Sequence, residues 1–550
     1  MSLRGTGQGG TVRRLIETFE VLGAAGMLNP MFIAGLARSL RKWGSTPAAG
    51  FAASAARRPD DVGLIDEGGA PMTFAELDRM SNAIANGLAA AGVKAGDGVS
   101  LFARNHRGFV LSMAALNKLG ADTLLLNTGF AAPQLAEVVA REGTNVVLYD
   151  QEFTAIVEQG APDKKRFVTC SDGSAIDQTI AELASAYPDT EPPQPQRFGR
   201  TTILTSGTTG TPKGAQRSVK SASLDTFVGL LGRMPLRVGE KTFVAAPTFH
   251  SWGGIHLLLG ALLSNTLVMR NRFDPEDTLR TIQEHRPNVL AVVPVMMQRI
   301  VGLDAQTIKR YDTRSLRVVA ASGSALPGEL ALRWMDLFGD NVYNFYGSTE
   351  VAQASIAMPD ELRAVPGTAG RPPRGTIVKI IDADGRELPT GATGRIFVGN
   401  ENQFEGYTGG GNKEIIGGLM SSGDVGHFDA NGLLFVDGRD DDMIISGGEN
   451  VFPREIEDLL ADHPHVHEAA VLGVADPEFG QRLKAFVVLV APGAASADDL
   501  KKHVRDHLAR YKVPREIVFL EELPRNPTGK VLKRLLRDLE VASEASERRA

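Results

Sequence analysis

The chain has 550 residues, 43% hydrophobic and 23% charged, an ordinary balance for a soluble globular protein but long for a single core. Its net charge of −6 argues against a nucleic-acid partner, because phosphate-backbone binding needs clustered cations. A single cysteine, Cys170, excludes an intramolecular disulfide framework and a cysteine-based zinc cage; it suits a reducing cytoplasm and reads as a small core residue, not a nucleophile.

No stretch approaches the ~18 apolar residues needed to span a bilayer, and Glu17, Glu20 and Gly23 break the pattern a signal peptide would need after Arg13 and Arg14. Residues 1–47 read as an amphipathic extension. Between residues 31 and 44, Phe32, Ile33, Leu36, Leu40 and Trp43 recur at helical spacing, with Arg38, Arg41 and Lys42 on other faces. Such a segment suits either a peripheral membrane contact or docking on the main body, and docking is the plainer reading.

From residue 48 the signals alternate. Thr73 and Glu76 form a capping box before Leu77, Ile84 and Leu88 on one helical face. Strand-like runs follow at Val99–Ala103, Thr123–Leu126 and Asn145–Tyr149, with a helical stretch Gly108–Leu119 between the first two. Alternation of this kind predicts parallel βαβ units. The proline-rich stretch Pro188–Pro195 reads as a surface connector. Residues 441–550 read as a small α+β unit. It has a helix near Arg454–Ala461, strands at Ala469–Val474 and Ala485–Val490, and a helix capped by Ser496 and Asp499.

The segment Thr205-Ser206-Gly207-Thr208-Thr209-Gly210-Thr211-Pro212-Lys213-Gly214 follows the strand-like run Thr201–Leu204. Glycines let backbone N–H groups converge on an anion, small hydroxyls add donors, and Lys213 adds a mobile charge. It is not a Walker loop, because Pro212 and Gly214 flank the lysine where that motif needs Gly-Lys-Ser/Thr.

At this loop the chain resembles the adenylate-forming superfamily: acyl-CoA synthetases, luciferases and the adenylation domains of peptide synthetases. Further segments match in the family's order. They are Pro247-Thr248-Phe249-His250 with Gly253 and Gly254, Ser322-Gly323-Ser324-Ala325-Leu326-Pro327, and Asn344-Phe345-Tyr346-Gly347-Ser348-Thr349-Glu350. Ser422-Gly423-Asp424, Gly438-Arg439-Asp440-Asp441-Asp442, Ser446-Gly447-Gly448-Glu449-Asn450 and Pro524-Arg525-Asn526-Pro527-Thr528-Gly529-Lys530 complete the set. The resemblance implies an α/β fold: a large multilayer αβαβα N-terminal body over 48–440, then a small mobile α+β domain over 441–550.

It also implies roles. The loop 205–210 with Lys213, Ser322–Ala325, Asn344–Gly347, Asp424 and Arg439 would hold ATP, with Tyr346 against adenine and Asp424 and Arg439 on the ribose hydroxyls. Glu350 suits Mg²⁺, a hard ion that prefers carboxylate and phosphate oxygens, with Thr205 as a weaker second ligand. Thr349 can donate to the α-phosphate, and His250 is counted with Lys530, Thr349 and Glu350 as catalytic. Lys530 would bridge the substrate carboxylate and the α-phosphate, while neighbouring Lys533 and Arg534 read as a solvated face. Asp441 matches the family's hinge, about which the small domain would turn to bring Gly447 and Gly448 beside the pantetheine arm of CoA.

The acid pocket carries no carboxylate after His250, which disfavours an amino acid. Trp252, Gly253 and Gly254, with Val351, Ala352 and Ala354, suit an acyl tail, whereas Met296 and Met297 read as core. The reaction implied is ATP-dependent joining of a fatty acid to CoA with Mg²⁺, in a cytoplasmic protein for which the resemblance allows a homodimer. A fatty-acyl-AMP ligase serving a carrier protein is the alternative, disfavoured because no extra element stands between Glu350 and Gly394. A luciferase-like monooxygenase or a non-catalytic nucleotide-binding relative ranks below it.

Overall fold

The computed structural model describes residues 8–205, 213–217, 224–446, 449–476, 480–526 and 529–539. Two mostly parallel sheets form the centre of the N-terminal body. One has eight strands, in the order Ala352–Ala357, Val342–Ser348, Val318–Ala321, Val289–Val292, Lys241–Val244, Thr266–Met269, Val62–Ile65 and Met72–Thr73, antiparallel only at its two edges. The other has six: Lys165–Cys170, Val146–Asp150, Gly98–Phe102, Asp122–Leu125, Thr201–Thr205 and Lys213–Arg217, of which only the last runs antiparallel. Strands buried on both faces read as continuous apolar runs, and Val289–Val292 and Val318–Ala321 are buried at every position.

Three apolar cores separate the layers. One lies between the sheets and combines Leu101 and Leu125 of the smaller sheet with Val244 and Leu267 of the larger and with helices α3 (Pro47–Arg57), α4 (Phe74–Ala90) and α5 (Arg107–Leu119). The others lie on the outer faces of the two sheets. This gives the expected αβαβα order. The capping box of Thr73 and Glu76 is present, and α5 begins at Arg107 and ends at an αL glycine, Gly120.

A third sheet was not foreseen. Ile377–Ile381, Gly394–Gly399, Ile415–Ile416, Leu419–Phe428 and Leu434–Arg439 pair antiparallel and end where the short 3₁₀ turn Asp440–Asp442 begins. The C-terminal sheet then opens at Ile444 and is covered by helices Pro453–Ala461 and Ala497–His507, the latter capped by Ser496 and Asp499 as read from the sequence. Their apolar stripes bury Ile456, Leu460, Leu500 and Val504 in one core.

The N-terminal segment forms two helices, α1 (Gln8–Ala24) and α2 (Pro30–Trp43). The two large aromatics of α2, Phe32 and Trp43, are buried in the body, which matches the docking reading for that helix. Three expectations need correction. Cys170 is exposed at the end of its strand, where a register shift opposite Asp150 turns it outward. Lys533 is no solvated side chain: its Nζ pairs with Glu457 at 3.0 Å and Asp442 at 3.6 Å and ties the C-terminal tail to the linker. Val351 and Ala354 point into the core beside the third sheet, leaving Ala352 alone of those three on the cleft.

Candidate active site

A cleft of about 2190 Å³ runs between the N-terminal body and the C-terminal domain. The hairpin of strands Val342–Ser348 and Ala352–Ala357 delivers Thr349 and Glu350 to its floor. The turn is tight: Ala352 adopts φ 60°, a left-handed conformation costly for a residue with a Cβ. Thr349 and Ser251 share a hydrogen bond of 2.6 Å between hydroxyls, which links this hairpin to the first turn of the helix Ser251–Leu262. Glu350 is 9% exposed, and its Oε1 accepts from the Tyr407 hydroxyl at 2.8 Å. Burial and the Glu350 charge push the Tyr407 hydroxyl above its ordinary pKa, so it stays a donor.

The nucleotide side is built on a second tyrosine–carboxylate pair. Tyr346 donates to Asp424 Oδ2 at 2.6 Å, and both touch Ser422, whose hydroxyl donates to the Ile396 carbonyl at 3.1 Å. Burial raises the Asp424 carboxyl against the opposing pull of Arg439. Burial also opposes charge on Arg439, but Asp441, Asp424 and Asp442 outweigh it and hold the guanidinium protonated. Arg439 donates to Asp441 at 2.9 Å and reaches Asp424 at 3.5 Å. Ser322, Gly323, Ser324, Ala325, Asn344, Phe345 and Gly347 line the same cleft.

The phosphate loop is described only at its neck. Strands Thr201–Thr205 and Lys213–Arg217 pair with Thr205 opposite Lys213, and Lys213 Nζ lies 5.5 Å from the centre of the Tyr407 ring. Ser206, Gly207, Thr208, Thr209 and Gly210 lie outside the described residues, as do Gly447 and Gly448.

Lys530 enters the cleft from the C-terminal domain. Its N–H donates to Asn526 Oδ1 at 2.9 Å, an isolated bridge joins Arg525 and Val531, and Gly529 holds φ 80°. A Cβ at Gly529 would come within 2.1 Å of Val295 Cγ1 on the body, so this loop sits flush against the opposite wall. One flank of Lys530 is exposed, yet the desolvation of the cleft and the nearby Arg439 hold its ammonium below the usual lysine range, with Asp424, Asp442 and Asp441 opposing the shift.

The cleft wall at the helix Ser251–Leu262 is fixed in place. Trp252 is 7% exposed; its indole N–H donates to the carbonyls of Val292 at 3.0 Å and Ala320 at 3.3 Å, and its ring lies 4.9 Å from Phe345. It is a wall of the pocket, not a gate. Gly253 also differs from expectation: a Cβ there would meet the Pro247 carbonyl oxygen at 2.3 Å, so glycine lets the helix start against that backbone and makes no room for a tail. Gly254 is looser, with the Thr248 oxygen 3.3 Å from such a Cβ. Met296 and Met297 are core, as read. His250 caps the same helix from outside, and burial drives its imidazole down to about 4, so it is neutral at neutral pH.

Sequence reasoning brought together Thr349, Glu350, Asp424, Arg439, His250 and Lys530, and all line this cleft. It missed Tyr407 and Ser251. Tyr407 stands 57 residues from Glu350 in the chain, and no spacing signals that pairing.

Comparison with known proteins agrees with this architecture. Residues 51–408 match the AMP-binding enzyme family, and residues 455–530 match the AMP-binding enzyme C-terminal domain. The chain is 34% identical over 487 residues to a feruloyl-CoA synthase of an Amycolatopsis species, covering 87% of this chain and 96% of that one. It is 30% identical over 485 residues to the fatty acid–[acyl-carrier-protein] ligase ScoC of Streptomyces coeruleorubidus, covering 86% and 92%. Among solved structures, the anthranilate CoA ligase AuaEII in complex with anthranoyl-AMP superposes with a TM-score of 0.80 at 26% identity, over 90% of this chain and 97% of that one. With the family model matching residues 51–408 and relatives of 30% identity or more over most of both chains, this chain belongs to the AMP-binding enzyme family and is an AMP-forming ligase of the adenylate-forming superfamily.

Proposed function

We propose that this ligase activates an apolar carboxylic acid, with a fatty acid as the leading substrate, and transfers its acyl group to CoA. The observation that carries this is the meeting of Lys530, Glu350 and Asp424 around one cleft whose lining also includes the apolar side chains of Trp252, Leu259 and Leu330. A carboxylate oxygen of the acid attacks the α-phosphorus of ATP, and pyrophosphate leaves. The CoA sulfur then attacks the acyl carbonyl, the thiol proton is released, and AMP leaves with the electron pair of the broken C–O bond.

Each role follows from position. Lys530 stabilises charge that builds on the reacting oxygens, where a preorganised cation counts most in a water-poor cleft. Thr349 donates to the α-phosphate, its hydroxyl oriented by Ser251. Asp424 accepts from the ribose hydroxyls, for which it exchanges the Tyr346 hydroxyl it now holds. Glu350 fits Mg²⁺ as one buried hard-oxygen ligand beside the phosphates, since Mg²⁺ in such sites takes few protein carboxylates and completes its shell with phosphate and water. Bound there, Mg²⁺ would neutralise phosphate charge. Asp441 serves as the hinge about which Lys530 withdraws before thiol attack.

An aromatic acid is the second reading, favoured by the Trp252–Phe345 pair and by the relative named for feruloyl-CoA synthesis. The test incubates purified protein with ATP, Mg²⁺, CoA and a panel from hexanoate to palmitate alongside ferulate and anthranilate, and scores acyl-AMP and thioester separately. Fatty acyl-CoA that vanishes in Lys530→Ala supports the leading reading. Turnover confined to the aryl acids moves the assignment to the second, and adenylate without thioester on any acid sinks the CoA step.

A further inference from the structure

Helix α1 meets the body through a mixed face and leaves an apolar face exposed. Facing the body are Thr18, Val21 and Leu22, with the Arg14 carbonyl and Glu17 near Arg374. Arg374 donates to the Arg14 carbonyl at 2.9 Å and to Thr18 Oγ1 at 2.8 Å, and approaches Glu17 at 3.6 Å. Val21 Cγ2 lies 3.5 Å from where a Cβ on Gly232 would stand. The opposite side carries Val12, Leu15, Ile16 and Phe19 at i, i+3, i+4 and i+7, each more than half exposed, Phe19 at 61%. Met31, 76% exposed, and Ile33, 49% exposed, add apolar surface at the start of α2. Seven of the 17 large apolar side chains exposed among the described residues fall between positions 12 and 33. A soluble surface does not gather such residues by chance; a patch of this kind marks an interaction site.

Charge identifies the occupant. Residues 8–44 hold five basic side chains against two acidic ones in a chain whose net charge is −6. No acidic residue occurs between 21 and 44, and Arg38 and Arg41 stand exposed on α2. One of the two acids, Glu17, is turned to Arg374. Apolar side chains interleaved with arginines match the interface of an anionic lipid bilayer, where the acyl boundary takes the former and the headgroups attract the latter. We propose that α1 and the start of α2 dock this ligase on an anionic membrane surface, with Val12, Leu15, Ile16 and Phe19 inserted. The contact centres on α1, whereas Phe32 and Trp43 of α2 are spent on holding that helix to the body.

The cavity also reaches the C-terminal end of α2. Ser251, Ile255, Leu258 and Leu262 lie along one stripe of their helix and line the same cavity as Glu350, and so does Ser45, two residues past the end of α2. At ~1.5 Å per residue that stripe covers about 16 Å. In the ligase reading, on which this last link rests, an acid taken from a bilayer enters beside the docked helices.

The test is cosedimentation of the purified full-length chain with vesicles of phosphatidylcholine alone or mixed with phosphatidylglycerol. Alongside it, the double variant Leu15→Asp/Phe19→Asp is assayed with octanoate as a soluble acid and sized by gel filtration. The wild type should pellet with the anionic vesicles and much less with the neutral ones. In the variant, lipid partitioning should fall by about tenfold or more, with octanoate turnover and size unchanged. A wild type that stays in the supernatant with anionic vesicles overturns the proposal, as does a variant that pellets equally. Conversion of a wild-type dimer to a variant monomer, without lipid binding by either, assigns the face to a second copy instead. Absent turnover with lipid binding intact would fell only the ligase reading.

Discussion

The two walls of the cleft are held by different means. On the body side Trp252 is buried, bonded to two strand carbonyls and tilted against Phe345, and Gly253 presses its backbone on Pro247. On the other side Lys530 depends on a short bridged loop, a close approach at Gly529, and the polar pairing of Lys533 with Glu457 and Asp442. Apolar interdigitation fixes geometry and resists change. Exchangeable polar contacts hold a position that can be surrendered and retaken. A site that, in the proposed mechanism, shapes an acid and also releases Lys530 needs one of each.

Mutations should separate the two walls. Trp252→Ala removes a packed aromatic from the main core and should cost about 3–5 kcal/mol of stability, read as a lowered midpoint in urea unfolding followed by fluorescence or circular dichroism. An unchanged midpoint would mean that the wall is not built by packing. Lys530→Ala should leave that midpoint in place and slow adenylation by about 10²–10³-fold, measured by ATP–pyrophosphate exchange. Thioester formation from synthetic acyl-AMP should suffer far less, because the proposed mechanism gives the lysine no role once the adenylate exists.

Asp424→Asn, between the two walls, should weaken AMP binding by about 1–3 kcal/mol through lost charge-assisted hydrogen bonds, measured by calorimetry. The smallest effect is on pH dependence. In the proposed mechanism adenylation needs protonated Lys530, and burial and Arg439 lower its pKa. The rate should therefore fall as pH rises through a range below that of a solvent lysine, and Lys530→Ala should lack that limb. No histidine inflection from His250 should appear between pH 6 and 8, because its imidazole is driven down to about 4.

Local chemistry made much of this legible. The Thr73–Glu76 and Ser496–Asp499 caps, the strand runs of the six-stranded sheet, and the Ser-Thr-Glu motif all carry short-range signals that the fold preserves. The failures share a cause: they depend on what lies across space. The Tyr407–Glu350 and Ser251–Thr349 bonds join residues 57 and 98 apart in sequence. Lys533 looks like a surface residue until Asp442 and Glu457 are folded against it. Cys170 is turned out by a register shift that no composition encodes. The exposed stripe of α1 was passed over for a related reason. Periodicity announces an amphipathic helix but not which of its faces meets the protein.

The close fit of Gly529 to Val295 has a consequence for how the two half-reactions could be uncoupled. A methyl group added there acts as a doorstop. It would wedge the C-terminal domain ajar where the proposed mechanism seats Lys530, without touching any reacting atom. An enzyme so altered would be jammed for making the adenylate yet still able to spend one supplied to it, and the lesion would lie in the hinge's range of travel, not in its chemistry.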